Sequence, residues 1–267
     1  MMDKELENFS RKIRIHVLNM VMNAQSSHIG SSFSIVEILT VLYKVILNVD
    51  PKHLDDPNRD KFLLSKAHGS TSLYGVLAEL GFFPLSHLEK YYINDGILPG
   101  HLDQQTIGIE FSFGSLGHGL SVGLGMAISN NQMNNPGKIY VLMGDGECNE
   151  GSVWEAIMLA SHLKLSNITA IVDYNKIQSF GNTNEVINQE PMNERWKSFG
   201  WDVIEINGHS FEELVGAFEV ISTKPKVIIA HTIKGKGVSF MENSLDWHYK
   251  SPNDEQYEMA LKEISEK

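Results

Sequence analysis

One cysteine, Cys148, serves the whole sequence of 267 residues. With no partner in the chain it forms no internal disulfide, so the fold must rest on apolar burial, and a reducing cytoplasm is the expected setting. Nowhere does a run of about eighteen apolar residues occur, which excludes an ordinary membrane-spanning helix. Met1 to Arg14 mixes charged with apolar residues where a secretory signal would need an apolar centre. Positive charge is scarce, 22 Lys and Arg against 33 Asp and Glu for a net of −11. That balance argues against nucleic acid or an anionic membrane as a partner. There is no internal repeat, no low-complexity tract and no His-Glu-x-x-His helix of a zinc hydrolase.

What is present is an alternation of short apolar runs with helical periodicity, over a length that suits one large α/β domain spanning residues 1–267. Leu6, Phe9, Ile13, Val17, Met20, Val21 and Ala24 recur at helical steps and predict a first amphipathic helix. Ser34 with Glu37 reads as a capping box opening a second helix to about Leu47, and Ser86 with Glu89 as another, with Tyr91 and Tyr92 on the helix that follows. Lys61–Ser65, Ile139–Met143, Ile168–Val172, Trp201–Ile206 and Lys226–His231 read as buried strands. Helices should fill the intervals, with Ser210 capping one and a polar helix following Pro252. The fold class is α/β, a mostly parallel sheet flanked by helices on both faces, with right-handed crossovers.

The most informative stretch is Ile139 to Asn175. One strand ends on Gly144-Asp145-Gly146, a helix from Gly151 to Leu163 crosses over, and the next strand ends on Asp173-Tyr174-Asn175. Neighbouring strand ends would set an aspartate beside an asparagine carbonyl. A hard divalent cation wants that donor set: magnesium takes oxygen ligands in octahedral array, one or two from protein and the rest from phosphate and water. The glycines admit close backbone approach, the helix start offers free amides, and ligands of parallel sheets sit at this edge. Gly-Asp-Gly alone would read as a turn; the strand, helix, strand and Asn around it favour the cation.

Other loops carry chemistry-bearing residues. His28, His68 and His101 each lie in a glycine-containing turn, and packing does not need an ionisable ring there. Gly117, Gly119 and Gly123 mimic a dinucleotide fingerprint, but no acidic residue follows before Gly144, and close helix packing explains them equally well. Lys234-Gly235-Lys236-Gly237 reads either as a solvated turn or, at a strand's carboxyl end, as a loop facing an anion.

Gly144-Asp145-Gly146 followed by Asn175 resembles the diphosphate-binding signature of thiamine diphosphate enzymes. The segments Ser26–Gly30, Leu64–Gly69, Pro99–His101, Gly114–Leu116 and Asp246–His248 resemble the amino-terminal domain of transketolase, and the likeness spans essentially the whole chain. Since that family's full-length enzymes are more than twice as long, the resemblance implies the amino-terminal subunit of a split transketolase. It implies thiamine diphosphate held through Mg2+, or Ca2+ or Mn2+, by Asp145, Asn175 and the Ile177 carbonyl. His68, Gly114, Ser115, Leu116, Gly146, Glu150 and Asn175 would bind the cofactor or the interface beside it, Glu150 facing the partner active site. His28, His68, His101 and His248 would bind sugar hydroxyls and move protons. Histidines suit that work when their pKa lies near the operating pH.

The family's activating glutamate belongs to a separate pyrimidine-binding domain, which nothing here resembles. A carboxy-terminal subunit is therefore expected as partner, with self-association across the active-site interface, and sugar phosphates as substrates. The sequence departs from the family at Ser115, His118 and Tyr249, which touches substrate preference more than cofactor binding. Rival readings are a subunit of a 2-oxoacid or acetoin dehydrogenase or of a transketolase-like enzyme for an unusual sugar, a nicotinamide oxidoreductase built on the glycine loop, and a non-catalytic scaffold protein.

Overall fold

A computed structural model of the chain describes residues 2–266; Met1 and Lys267, which the expected domain and amino-terminal reading include, lie outside the described residues. Its helices are α1 (Met2–Ala24), α2 (Ile29–Phe33), α3 (Val36–Val41), α4 (Ser70–Glu79), α5 (Gly119–Gln132), α6 (Gly151–His162), α7 (Thr183–Val186), α8 (Met192–Ser198), α9 (Phe211–Glu219) and α10 (Asp254–Glu266). Its strands are β1 (Lys61–Leu64), β2 (Ile139–Gly144), β3 (Ile168–Tyr174), β4 (Ile177–Gln178), β5 (Gly181–Asn182), β6 (Asp202–Asn207) and β7 (Lys226–His231).

Five strands form one sheet in the order β1-β2-β3-β7-β6, every pair parallel, while β4 and β5 make a small hairpin beyond β3. The central strand β3 is buried along its whole length, as the unbroken apolar run predicts for a parallel strand covered on both faces. Gly123 lets α5 lie close on β2, since a Cβ there would meet Val141 Cγ2 at 2.6 Å. Among the described residues no helix is long and apolar enough to cross a membrane.

Two local expectations fail, each because a side chain is claimed from far away. Ser34 does not cap a helix: its hydroxyl donates to Asp173 Oδ2 at 2.7 Å, and Glu37 turns to Arg14. The predicted single helix is instead α3 and a wider turn over Leu42–Ile46, and α2 precedes it where the sequence reading has a loop. Ser86 begins no helix through Tyr91 and Tyr92; Leu85–Lys90 is a short 3-10 helix that stops at Lys90, after which Tyr91 bridges to Leu98 and sinks its ring beside Tyr74. By contrast Ser210 caps α9 as expected, accepting from Glu213 N. At the far end of α9, Lys226 is buried and its ammonium donates to the carbonyls of Ala217, Phe218 and Val220 at 2.9–3.0 Å. It thereby satisfies carbonyls that the helix end leaves without partners.

Candidate functional site

Because β2 and β3 run parallel with Gly144 opposite Asp173, the residues just past each strand emerge side by side. Asp145 N–H donates to Asp173 O at 3.2 Å. The Asp145 carboxylate accepts from its neighbour Gly146 N at 2.6 Å, and from Lys176 N at 2.6 Å and Thr183 Oγ1 at 3.1 Å. Lys176 is the residue after Asn175, so the two strand ends are tied together through this carboxylate. Asn175 donates from Nδ2 to Asp173 at 2.9 Å and accepts from Ile177 N on Oδ1 at 3.1 Å. Asp145, Asn175 and Ile177 line one cavity of about 300 Å³, with His68, Leu116, Gly146, Glu150 and His248 also on its wall. Gly114 and Ser115 are exposed on the loop beside Leu116 and do not reach that wall.

Three hydrogen bonds do not satisfy Asp145. Burial, and then the neighbouring Asp173, push its pKa up to about 6, the mark of a carboxylate short of positive charge. Among the described residues no cluster of three His, Cys, Asp or Glu could hold a metal. An aspartate, an asparagine and a backbone carbonyl make a different set, all oxygen, and that set fits a hard divalent cation.

Two lysines line the same cavity. Lys66 is fully buried, pairs with Asp173 and donates to Ser31 O at 3.0 Å. Burial alone would raise Asp173, but Lys66 and the hydroxyls of Thr232 and Ser34 hold it below the ordinary carboxylate value. Lys234 donates to Ile177 O at 2.9 Å and to His248 Nδ1 at 2.7 Å. Burial and then Lys66 bring its pKa down to about 8. Lys234 thus faces the cavity, while Lys236 of the same loop is partly exposed and pairs with Glu242. Sequence reasoning assigns no role to Lys66, Asp173 or Glu147; a charged residue next to each strand end is the available signal.

Glu147 resolves the glycine loop. It accepts from Gly117 N at 2.8 Å, Gly144 N at 3.1 Å and the Ser65 hydroxyl, and Ser65 accepts from Gly119 N at 3.0 Å. Burial raises its pKa despite these donors. Gly117, with φ +84°, and Gly119 are therefore packing devices at the mouth of α5, the second of the two readings open in the sequence.

The four histidines converge. His28 holds its ring 5.3 Å from that of His68, 5.0 Å from His248 and 6.1 Å from His101, and His68 lies 5.9 Å from His248. His28 and His101 stand outside the cavity wall and join it through this ring cluster. His28 adopts the left-handed conformation, φ 74°, and its N–H donates to His248 O at 2.9 Å. Such a backbone is uncommon for a residue with a side chain and concentrates at functional positions. Tyr249, 59% exposed, lays its ring 4.7 Å from that of His248 and extends the cluster outward.

Neutral-range titration is not what the rings of His28, His68 and His248 show. Burial, then His101 and the lysines, bring His28 to about 4, and burial, Lys234 and His28 bring His248 to about 3. His68 is pushed well below its ordinary value by burial and Lys66. These rings are neutral hydrogen-bonding groups near pH 7. Lys234 donating to Nδ1 of His248 leaves the ring proton on Nε2, 3.3 Å from Ser179 Oγ.

Residues 6–264 match the family described as transketolase, thiamine diphosphate binding domain. An apulose-4-phosphate transketolase subunit of Phocaeicola vulgatus is 43% identical over 98% of this chain and 94% of its own length. A 6-deoxy-6-sulfo-D-fructose transketolase subunit of a Clostridium species is 39% identical over 97% of this chain and 96% of its own. Human transketolase is 35% identical over 97% of this chain, which spans 42% of the human protein. The crystal structure of Campylobacter jejuni transketolase superposes with a TM-score of 0.92 at 32% identity, over 97% of this chain and 42% of that one.

Proposed function

Since the chain belongs to the transketolase family, as its amino-terminal, thiamine diphosphate-binding part, we propose that it is the diphosphate-binding subunit of a split transketolase. With a carboxy-terminal, pyrimidine-binding subunit it transfers a two-carbon ketol unit between sugar phosphates. The observation that carries this reading is the pair of strand ends. Asp145 and Asn175, joined through Lys176 N–H, share one cavity with two buried ammonium groups. A magnesium diphosphate needs just such a mix of hard oxygens and cations.

Thiamine diphosphate, when bound, supplies the electron sink for breaking and remaking the ketose carbon bond. The chain supplies the rest. Asp145, Asn175 and the Ile177 carbonyl would hold Mg2+, or Ca2+ or Mn2+ in its place. Lys66, Lys234, His68 and the Gly146 amide would meet the diphosphate, and Leu116, at the end of the Gly114-Ser115 loop, would lie against the cofactor rings. His28, His68 and His248, as neutral rings, together with His101, would donate to and accept from sugar hydroxyls and relay protons between them. A cluster of four rings suits a polyhydroxylated substrate better than a small oxoacid. The relatives' names point to apulose 4-phosphate in one case and a sulfonated ketose in another; an anionic ketose is the class proposed here.

Leu116, Ile187 and Phe180 border the cavity as exposed apolar side chains. Water is a poor neighbour for them, and the carboxy-terminal partner together with a second copy across the Glu150 face would cover them. The chain should show no turnover when assayed alone with thiamine diphosphate, magnesium and a ketose phosphate, and should gain it on adding the partner. Robust activity of the chain alone would refute the split-subunit reading.

A further inference from the structure

Lys234 reaches the cavity from the loop 232–237 that follows β7, and its side chain is almost wholly buried. A lysine stem is flexible, so the resting place of its ammonium depends on how firmly the backbone holds its Cα. Here the backbone is held from behind. Arg14 of α1 and Glu37 of α3 form an ion pair at 2.7 Å, with 9% of each side chain exposed, and Arg14 Nε donates to Lys236 O at 2.9 Å. His209, between β6 and α9, meets Glu37 through Nδ1 at 2.9 Å and accepts Ile233 N–H on Nε2 at 2.8 Å. Accepting on Nε2 places the ring proton on Nδ1, where it faces the carboxylate.

The residues on either side of Lys234 are therefore gripped by two side chains that share one carboxylate. Backbone bonds complete the hold, from Gly235 N to Gly30 O at 3.0 Å and from Asn243 N to Lys234 O at 2.9 Å. Gly237 lies so close to Arg14 that a Cβ on it would stand 2.8 Å from Nε. Burial works against the Glu37 charge, but Arg14 and His209 outweigh it and bring its pKa to about 2, so the hub stays ionised near neutrality. Arg14, Glu37 and His209 border a separate cavity of about 420 Å³ and none of them lines the one that holds Asp145. Any influence they have on the cofactor must pass through the loop.

We propose that Arg14, Glu37 and His209 are positioning residues for Lys234, a buried clamp that fixes the loop 232–237 so that the ammonium stands where the diphosphate binds. The proposal rests on the diphosphate reading given above. It is tested with a double-mutant cycle on the full chain in the presence of its carboxy-terminal partner. Calorimetry reads the dissociation constant of thiamine diphosphate at saturating magnesium.

H209A should raise that constant by about tenfold, in the range seen for groups that orient ligands from behind. H209Q, whose amide can both donate to Glu37 and accept from Ile233, should restore it. In a K234M background H209A should add less than about twofold, because the group it positions is gone. Equal losses in both backgrounds would mean general support of the fold and would overturn the clamp, as would an inert H209A beside a weakly binding K234M. An unchanged constant in K234M would overturn the diphosphate role of Lys234, and the clamp with it. If H209A does not fold, R14K replaces it: it keeps the buried charge but loses the bond to Lys236 O, and should give a smaller rise that again vanishes beside K234M.

Discussion

Asp145 carries a charge where water barely reaches, only 2% exposed, and with Asp173 close by. At pH 7, above its folded pKa of about 6 and its ordinary 3.8, the shift amounts to a penalty on the order of 3 kcal/mol on the metal-free fold. Asp145→Asn removes that penalty but turns an NH2 group toward a backbone N–H that now has an acceptor, a loss of about 1–3 kcal/mol. The two nearly cancel, so the unliganded variant should melt close to the wild type. Its stabilisation by thiamine diphosphate with magnesium, about 2.7 kcal/mol at a hundred times the dissociation constant, should disappear. Thermal melts with and without ligand measure both quantities, and a retained ligand shift would exclude Asp145 as a metal ligand. Asp145 and Asn175 were legible in the sequence because each lies just past the end of an apolar run. Lys66 and Asp173 were not, since their pairing joins residues 107 positions apart.

At the scale of elements, α5 sits where it does because glycine is present on its buried side. A Cβ on Gly119 would stand 2.3 Å from both Cβ and Oγ of Ser65, the residue whose hydroxyl bonds Glu147. Gly119→Ala should cost about 1–3 kcal/mol by overpacking and weaken cofactor binding by displacing the Glu147 anchor. Gly125 lies on the exposed side of the same helix, where an added Cβ meets nothing within 4 Å, and Gly125→Ala should stabilise the helix by about 0.5–1 kcal/mol. Chemical denaturation of the two variants checks the contrast, and equal effects would deny α5 its close seat. The same scale explains which caps could be read. Ser210 caps α9 through a neighbour three residues away, whereas Ser34 spends its hydroxyl on Asp173, 139 positions distant. Local pattern predicts the first and is blind to the second.

For the molecule as a whole, the carboxyl edge of the sheet gathers the cavity, the histidine cluster and an apolar rim on one side. Phe180, at the tip of the β4–β5 hairpin, leaves 84% of its surface exposed and so contributes little burial to the chain's own fold. Phe180→Asp should leave the chain's own stability within about 0.5 kcal/mol while raising the partner concentration needed for half-maximal activity. Titrating the partner into both forms decides it, and identical curves would remove Phe180 from the interface. The order of apolar runs and helical repeats determined the parallel sheet, its crossovers and the carboxylate at a strand end, because those follow from short-range periodicity and the geometry of adjacent strands. Only the tertiary structure decided which ammonium groups line the same cavity as that carboxylate, that three of the clustered histidines are held neutral, and that Arg14, Glu37 and His209 meet behind Lys234. Burial and Coulomb interaction depend on distance in space, and linear order does not encode which distant residues a fold will bring within a few ångströms.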